Sequence, residues 1–230
     1  MATRFYMDES IAAPITPAFD AAWEQTGQAD RFFSQRKGQV TSISTLADQT
    51  AKTVPITTTQ QILARQYVTE PLPRRTRIIS RISMVIRCLE SAGTANVFLA
   101  WVLRVVSNDG SVVRGTLGSS MTNTGTEFPT TAATRIFTLA GLSGTPLTAE
   151  EGDRLVFEIG GHAQAPTAAQ TYTLRFGLSG ASDFALTSAL TTNLNPWWEL
   201  DQDLWPPIPN NQRVVSSKSA GVMSVTESWR

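Results

Sequence analysis

The stretch from Arg77 to Leu117, RIISRISMVIRCLESAGTANVFLAWVLRVVSNDGSVVRGTL, constrains this chain most, because its side chains alternate with a period of two. It reads as three successive β-strands. In the first, Ile78, Ile82, Met84 and Ile86 point one way and Arg77, Arg81, Ser83 and Arg87 the other, so one face is core and the other wet. The second, Asn96 to Val106, puts Val97, Leu99, Trp101, Leu103 and Val105 on one face and Phe98, Val102 and Val106 on the other. A strand apolar on both faces is covered on both sides, which makes it central. Ser-Asn-Asp-Gly then leads to a third strand, Ser111 to Leu117, through residues that tolerate the positive φ of a tight hairpin.

The rest of the chain is consistent with one β-sandwich domain. Strand-like runs recur every ten or so residues, and only 17% of the 230 residues are charged. Basic and acidic residues balance at 19 each, so the electrostatics that nucleic-acid binding depends on are missing. No apolar run reaches the roughly 18 residues of a membrane span. MATRFYMDES lacks the basic-then-apolar pattern of a secretory signal, and the expectation is synthesis in a cytoplasm without a signal peptide.

Three parts are expected: an N-terminal arm over 1–38, a β-sandwich over 39–205 and an extended C-terminal arm over 206–230. The first part has no sustained period, and Pro14 and Pro17 interrupt any ladder or helix, yet it is too aromatic for a disordered tail. Phe5, Tyr6, Phe19, Trp23 and Phe32 are its candidate partner-interface residues. Packing on its own domain, closing the sandwich, is an equal alternative. Modest strands follow in QVTSISTLA, KTVPITT and QQILARQYV, with Val54-Pro55 confining the middle one to an edge or a loop. Arg74, Arg75 and Arg77 read as a solvated edge. A long Gly, Ser and Thr-rich loop is expected after Leu117, then a short strand at RIFTLAG. Arg154 to Gly160 and Thr171 to Gly177 alternate as strands, joined by a loop from Gly160-Gly161 to Gln170. Trp197 or Trp198 returns to the core after Pro196. Beyond Trp205, Pro206 opens a segment with apolar points at Val214, Val215, Val222, Met223, Val225 and Trp229, read as ordering on a partner. Trp205, Val215 and Trp229 complete the interface candidates.

Catalytic options are few with one histidine and one cysteine. His162 follows Gly-Gly without a neighbouring acid, and no GxSxG elbow is present, which disfavours a hydrolytic triad. Cys88 is in phase with core residues and reads as a buried, inert thiol. A lone His and a buried Cys do not make a zinc site. The acidic turns Glu150, Glu151, Asp153 and Glu199, Asp201, Asp203 lack calcium-loop spacing, so no metal and no cofactor are expected.

Several pieces taken together resemble a module encoded in structural-gene regions of tailed bacteriophages. They are Arg4-Phe5-Tyr6, AAPITPAFDAAWEQTG at 12–27, Arg65-Gln66-Tyr67-Val68 with Pro71-Leu72, Arg87-Cys88-Leu89-Glu90-Ser91, RVVSNDGSVVRGTL at 104–117, EGDRLVFEIG at 151–160, LRFG at 174–177 and Asn195-Pro196-Trp197. The resemblance covers residues 1 to about 200. It departs at 179–190, SGASDFALTSAL, where such proteins carry a polar, acidic run, and in the tail beyond 205.

The resemblance implies a non-enzymatic virion protein of jelly-roll-like, all-β antiparallel sandwich fold. Its role would be capsid decoration or cement, or a head-tail or tail-associated component, with the arms docking on major capsid or tail proteins. A homo-oligomer is implied, trimers being common among such decorations. The competing reading is a receptor- or glycan-binding module on the capsid surface or tail tip, with Trp197 and Trp198 as stacking platforms. An envelope-directed hydrolase is the third.

Overall fold

The computed structural model describes residues 1–205 apart from 28, 55–57, 80, 140–145 and 167–169; at strand residues 49–54 and 118–124 only the backbone is described. The expected arm 206–230, with Val215 and Trp229, lies outside the described residues. The strands in chain order are β1 (Thr3–Tyr6), β2 (Asp30–Phe33), β3 (Ala47–Val54), β4 (Gln60–Val68), β5 (Thr76–Ile78), β6 (Ile82–Glu90), β7 (Val97–Val106), β8 (Val113–Glu127), β9 (Ala133–Leu139), β10 (Leu147–Ala149), β11 (Arg154–Ala163), β12 (Gln170–Phe176) and β13 (Trp197–Leu200). No helix is present among the described residues.

Two sheets form a sandwich. The first runs β1-β13-β6-β12-β3, with β9 on the other side of β6. Because β13 pairs with Ile82 to Val85 and β12 with Arg87 to Glu90, those two strands lie end to end along one side of β6. The second sheet runs β2-β4-β11-β7-β8, and β5 with β10 makes a separate ribbon. All pairs between strands are antiparallel except β2 with β4. The chain passes from one sheet to the other at most connections, the alternation that jelly rolls use.

The core between the sheets follows the period of two. Ile82, Met84, Ile86 and Cys88 of β6 face Leu99, Trp101, Leu103 and Val105 of β7 and Leu155, Phe157 and Ile159 of β11, all of them buried. Aromatic rings bridge the layers. Trp198 lies between Phe5, stacked at 4.2 Å, and Phe157, at 5.0 Å, and Trp101 meets Phe137 edge-on at 4.9 Å. The β7–β8 hairpin turns at Gly110, where φ is 79°, and Asp109 accepts hydrogen bonds from Ser107 and Ser111. These bonds hold the exposed Asp109 carboxyl down at about 2.

Several sequence expectations are corrected. The first strand of the opening stretch is two: β5 ends at Ile78, Ile79 is 55% exposed, and β6 starts at Ile82 in a different sheet. The expected loop after Leu117 continues as strand to Glu127, with three register shifts against β7 absorbing its small residues. Residues 39–46 form no strand, while β3 stops at Val54, before Pro55, on the edge of its sheet.

Gly160 and Gly161 belong to β11 and not to a loop, at a register shift against β4. A Cβ on Gly160 would run into the Ile62 carbonyl, and one on Gly161 would sit 2.8 Å from the Tyr172 ring. The close approach lets the Tyr172 hydroxyl accept from Gly161 N at 3.1 Å and donate to Ile62 O at 2.8 Å, tying the two sheets together. Burial drives the Tyr172 pKa upward, so the hydroxyl stays protonated and able to donate.

Residues 1–38 are integral to the sandwich. β1 is a strand of the first sheet, paired with β13 from Thr3↔Leu200 to Tyr6↔Trp197, and β2 is an edge strand of the second. The domain therefore begins at the first strand and not at residue 39. The physical reason lies in β4, β7 and β11, whose outer faces carry Leu63, Ala100, Val102, Val68, Val106 and Val156. Segment 13–23 covers them with Ala13, Ile15, Phe19 and Trp23.

Gly160→Ala should cost about 3 kcal/mol through overpacking against backbone. Chemical denaturation of the variant should show a lower midpoint, and an unchanged midpoint would contradict the close approach.

Candidate functional site

The N-terminal segment is fastened by a buried carboxylate. Glu158, fully buried on the outer face of β11, accepts from Trp23 Nε1 at 2.7 Å, Gln66 Nε2 at 2.8 Å and the Asp20 backbone N at 3.1 Å. It also pairs with Arg104 of β7, whose guanidinium donates to Ala18 O at 2.8 Å. Gln66 reaches Pro17 O at 3.3 Å. One acid and one base, both stranded in apolar strands, thus bond each other and the segment that covers them, while Arg104 Nε has no hydrogen bond and faces the Asp20 carboxylate at 3.8 Å. Such pairing offsets much of the cost of burying the two charges.

Asp8 and Asp183 are two further carboxylate hubs. Asp8 is buried and accepts from Gln35 Nε2 at 2.8 Å, Ser10 Oγ at 2.6 Å and Ser44 Oγ, joining the β1–β2 and β2–β3 connections. Asp183 lies in the 179–190 segment, where the sequence departs from the phage resemblance. It binds Arg4 Nη1 and Lys37 Nζ, each at 2.9 Å, and the Tyr6 hydroxyl at 3.0 Å. Burial opposes ionisation of Asp183, but the hydrogen bonds from Lys37, Arg4 and Tyr6 outweigh it and hold the carboxyl below the usual aspartate value. Burial, with Asp183 adjacent, pushes the Tyr6 phenol up to about 12.

These groups line a cavity of about 640 Å³, with Trp197, Asn195 and Glu199 also in its wall. Its charges close on one another. Arg4 pairs with both Asp183 and Glu199 and lies over the Trp197 ring at 3.8 Å. The cavity presents a neutral network of two acids and two bases in mutual contact.

The interface and stacking candidates fall mostly inside the fold. Phe5 is fully buried, and Tyr6 and Trp23 are nearly so. Phe19 is half-buried beneath the Arg31 guanidinium at 3.9 Å, and Phe32 packs against the core beside Tyr67. These five are core and cover, not free partner anchors. Trp197 and Trp198 are 2% and 0% exposed and bond Phe184 O and Ser34 Oγ through their indole nitrogens. They offer no open ring face for a sugar, which corrects the glycan assignment at both positions. Trp205 is only partly buried, edge-on to Phe5 at 5.8 Å and beneath Arg36 at 4.6 Å.

His162 sits in β11, not a loop. It is buried, its Nδ1 faces the Gln61 amide, and burial lowers its pKa although Glu24 opposes this. Cys88 is buried and its thiol pKa is driven upward by desolvation, so it is the inert thiol expected from its phase. Asp153 of the first acidic turn bonds Glu150 N at 2.8 Å and faces Arg114. In the second turn Glu199 pairs with Arg4, and Asp201 accepts Arg81 N at 2.7 Å. Among the described residues no group of three or more His, Cys, Asp or Glu is placed to hold a metal.

Asp8, Arg104, Glu158 and Asp183 were missed from sequence. Arg104 and Glu158 did carry a signal, a charge inside runs apolar on both faces (VLRVV and LVFEI), which demands a partner on a covering segment.

Glu90, at the end of β6, is buried and accepts Val97 N at 3.1 Å. Desolvation, opposed by that bond and reinforced by the neighbouring Glu127 carboxylate, pushes its pKa up to about 7. Glu127 Oε1 is buried without a hydrogen-bond partner.

No family model matches the sequence, and no curated protein matches it. Among solved structures the chain is similar to a CocE/NonD family hydrolase from Staphylococcus aureus, at 5% identity and a TM-score of 0.43, over 88% of this chain and 36% of that one. The chain thus spans little more than a third of the hydrolase's length. It is also similar to Eiger TNF from S. frugiperda, at 14% identity and a TM-score of 0.33, over 88% and 92%. The VP2 subviral particle of infectious bursal disease virus follows at 9% identity and a TM-score of 0.20, over 80% and 44%. Likenesses at this level carry no argument about function.

Two outcomes are expected. Glu158→Ala, which takes from the buried Arg104 its close carboxylate and leaves it only Asp20, 3.8 Å away, should destabilise the fold by about 3 kcal/mol in denaturant titration. Because the Glu90 pKa is raised in the folded state, its contribution to stability is fully present below the unfolded value of about 4.3 and is lost as pH rises through about 7. The melting temperature should fall across that window, and Glu90→Gln should flatten the fall.

Proposed function

We propose that this protein is a non-enzymatic structural subunit of a bacteriophage virion, docking on neighbouring subunits through its C-terminal segment. The observation that carries the reading is the consumption of polar and reactive groups by the fold itself. Asp8, Glu158 and Asp183 fasten the chain's own segments, His162 and Cys88 are buried, and the charges of the cavity lined by Arg4, Lys37, Asp183 and Glu199 neutralise each other. Such a body is a building block, and the resemblance to phage structural modules supplies the context.

Docking then falls to residues 206–230, since 1–38 serve the domain itself. The described fold ends at Trp205, beside Phe5 of the N-terminal strand, so the remaining 25 residues depart from the corner where β1 and β13 pair. Their apolar points, including Val215 and Trp229, are suited to burial on a partner, which would offset the entropy lost on ordering. The partners would be major capsid or tail proteins together with further copies of this chain, and the place of action the virion.

Mass spectrometry of density-purified particles tests the reading directly: the full chain should be present at many copies per particle, and its absence would overturn the proposal. A chain ending at Trp205 should melt within about 2 °C of the full chain, less than the shift from roughly 1 kcal/mol in a domain of this size, while its incorporation into particles is lost.

A further inference from the structure

Three arginines stand outside the rule that this fold satisfies its own charges. Every other arginine side chain of the described residues donates a hydrogen bond or makes an ion pair, from Arg4 with Asp183 to Arg175 with Asp48. Arg74, Arg77 and Arg81 have no such partner among the described residues, and all three are exposed. They fall in one short stretch, 74–81, at the ribbon strand β5.

The strand period turns this stretch outward. Thr76 and Ile78 are buried, so Arg75, Arg77 and Ile79 at the alternate positions face solvent, about 7 Å apart along an extended chain. Ile79, 55% exposed, sets an apolar side chain among the guanidiniums. The four guanidiniums outnumber the acids that reach them, Glu150 on the Arg75 side chain and Asp201 on the Arg81 backbone. The backbone is already engaged: β10 pairs with β5, and Gln202 bonds Arg77 O at 2.8 Å and Ile79 N at 3.4 Å. What the stretch offers a partner is therefore side chains and not a strand edge.

Charge complementarity selects the occupant. Outside the described residues the chain has one acidic side chain, Glu227, in a segment that also carries Arg213, Lys218 and Arg230, so it cannot neutralise three arginines itself. A second copy fits no better, since its Asp48, Glu70, Asp183 and Glu199 are paired with its own cations. Nucleic acid is disfavoured by chemistry. Its single strands are held by stacking on exposed aromatic rings, and no aromatic residue among the described ones is exposed. The balanced net charge supplies no long-range pull on phosphates either. Arginine without lysine is instead the composition of protein interfaces, because the planar guanidinium pairs carboxylates through two parallel bonds.

We propose that Arg74, Arg77 and Arg81, with Ile79 among them, form a docking surface for an acidic segment of another protein, whose carboxylates pair with the guanidiniums around an apolar side chain seated on Ile79. This surface is additional to 206–230, and it belongs to the folded domain wherever the protein acts.

Fluorescence anisotropy with the full chain at low salt provides the test. The probes are a labelled peptide Glu-Glu-Glu-Leu-Glu-Glu-Glu, the same peptide with Gln for every Glu, and an oligothymidylate of equal charge. The acidic peptide should bind, release as salt rises, and lose about tenfold or more in affinity to Arg74→Glu with Arg77→Glu and Arg81→Glu. Ile79→Ser should weaken it too, but not once the peptide's Leu is replaced by Ser. All these positions are exposed, so the variants should melt like the parent, and Arg77→Gln with Arg81→Gln is the milder form for the same readout. Arg213→Glu with Lys218→Glu and Arg230→Glu changes net charge equally and should leave peptide binding intact. Failure of the acidic peptide to bind, an equal loss in both charge-reversed proteins, or tighter binding of oligothymidylate through the same arginines would overturn the inference. All of this is read on isolated protein, so absence of the chain from particles refutes the virion reading and leaves the docking surface standing.

Discussion

Strands β4, β7 and β11 are apolar on both faces, and the need to cover the second face governs the rest of the molecule. The inner faces meet the first sheet across a core of Trp101, Phe157 and Trp198. The outer faces, left bare, would expose Leu63, Val102, Val106 and Val156 together with the ion pair of Glu158 and Arg104. An unpartnered buried charge is expensive, and so is a wide apolar patch in water. Segment 13–23 answers both demands, placing Trp23 and Ile15 on the apolar surface and backbone groups of Ala18 and Asp20 on the charges.

The aromatic residues take their roles from that arrangement. Phe5 and Trp198 stack within the core between the sheets, while Trp23 packs on Leu63, Ala100 and Val102 in a separate cluster on the outer face. Their abundance near the chain ends comes from the closure of the sheet, since β1 and β13 are adjacent strands although nearly 200 residues apart in sequence. Ends rich in aromatic residues therefore need not be partner-binding arms. What distinguishes Trp205 is its position, half-covered at the corner where the described chain ends.

The clearest elements in the sequence were those whose local pattern and burial agree. Leu155, Phe157 and Ile159 alternate in β11, Tyr172, Leu174 and Phe176 in β12, and Ser107 to Gly110 carries the chemistry of a hairpin turn. The continuous apolar run of β7 signalled cover on both sides without saying what supplies it. Gly160-Gly161 misled because a glycine pair marks a loop as readily as a close approach between strands, and only the carbonyl of Ile62 and the ring of Tyr172 separate the two. The Ser and Thr-rich run after Leu117 misled for a related reason. Small polar residues are neutral about strand formation until a partner as long as β7 is present.

By itself the sequence determined that the chain is all-β, that the strands β6 and β7 within 77–117 supply its core, and that Cys88 is buried, since periodicity and residue type are local properties. Only the tertiary structure decided that residues 1–38 belong to the domain and that Trp197 and Trp198 are closed to ligands. It alone brought Asp8, Asp183 and Glu158 together with the segments they hold. The physical reason is distance along the chain: Arg4 meets Asp183 and Trp23 meets Glu158 across more than a hundred residues. A short charged side chain carries no local mark of the partner that will satisfy it.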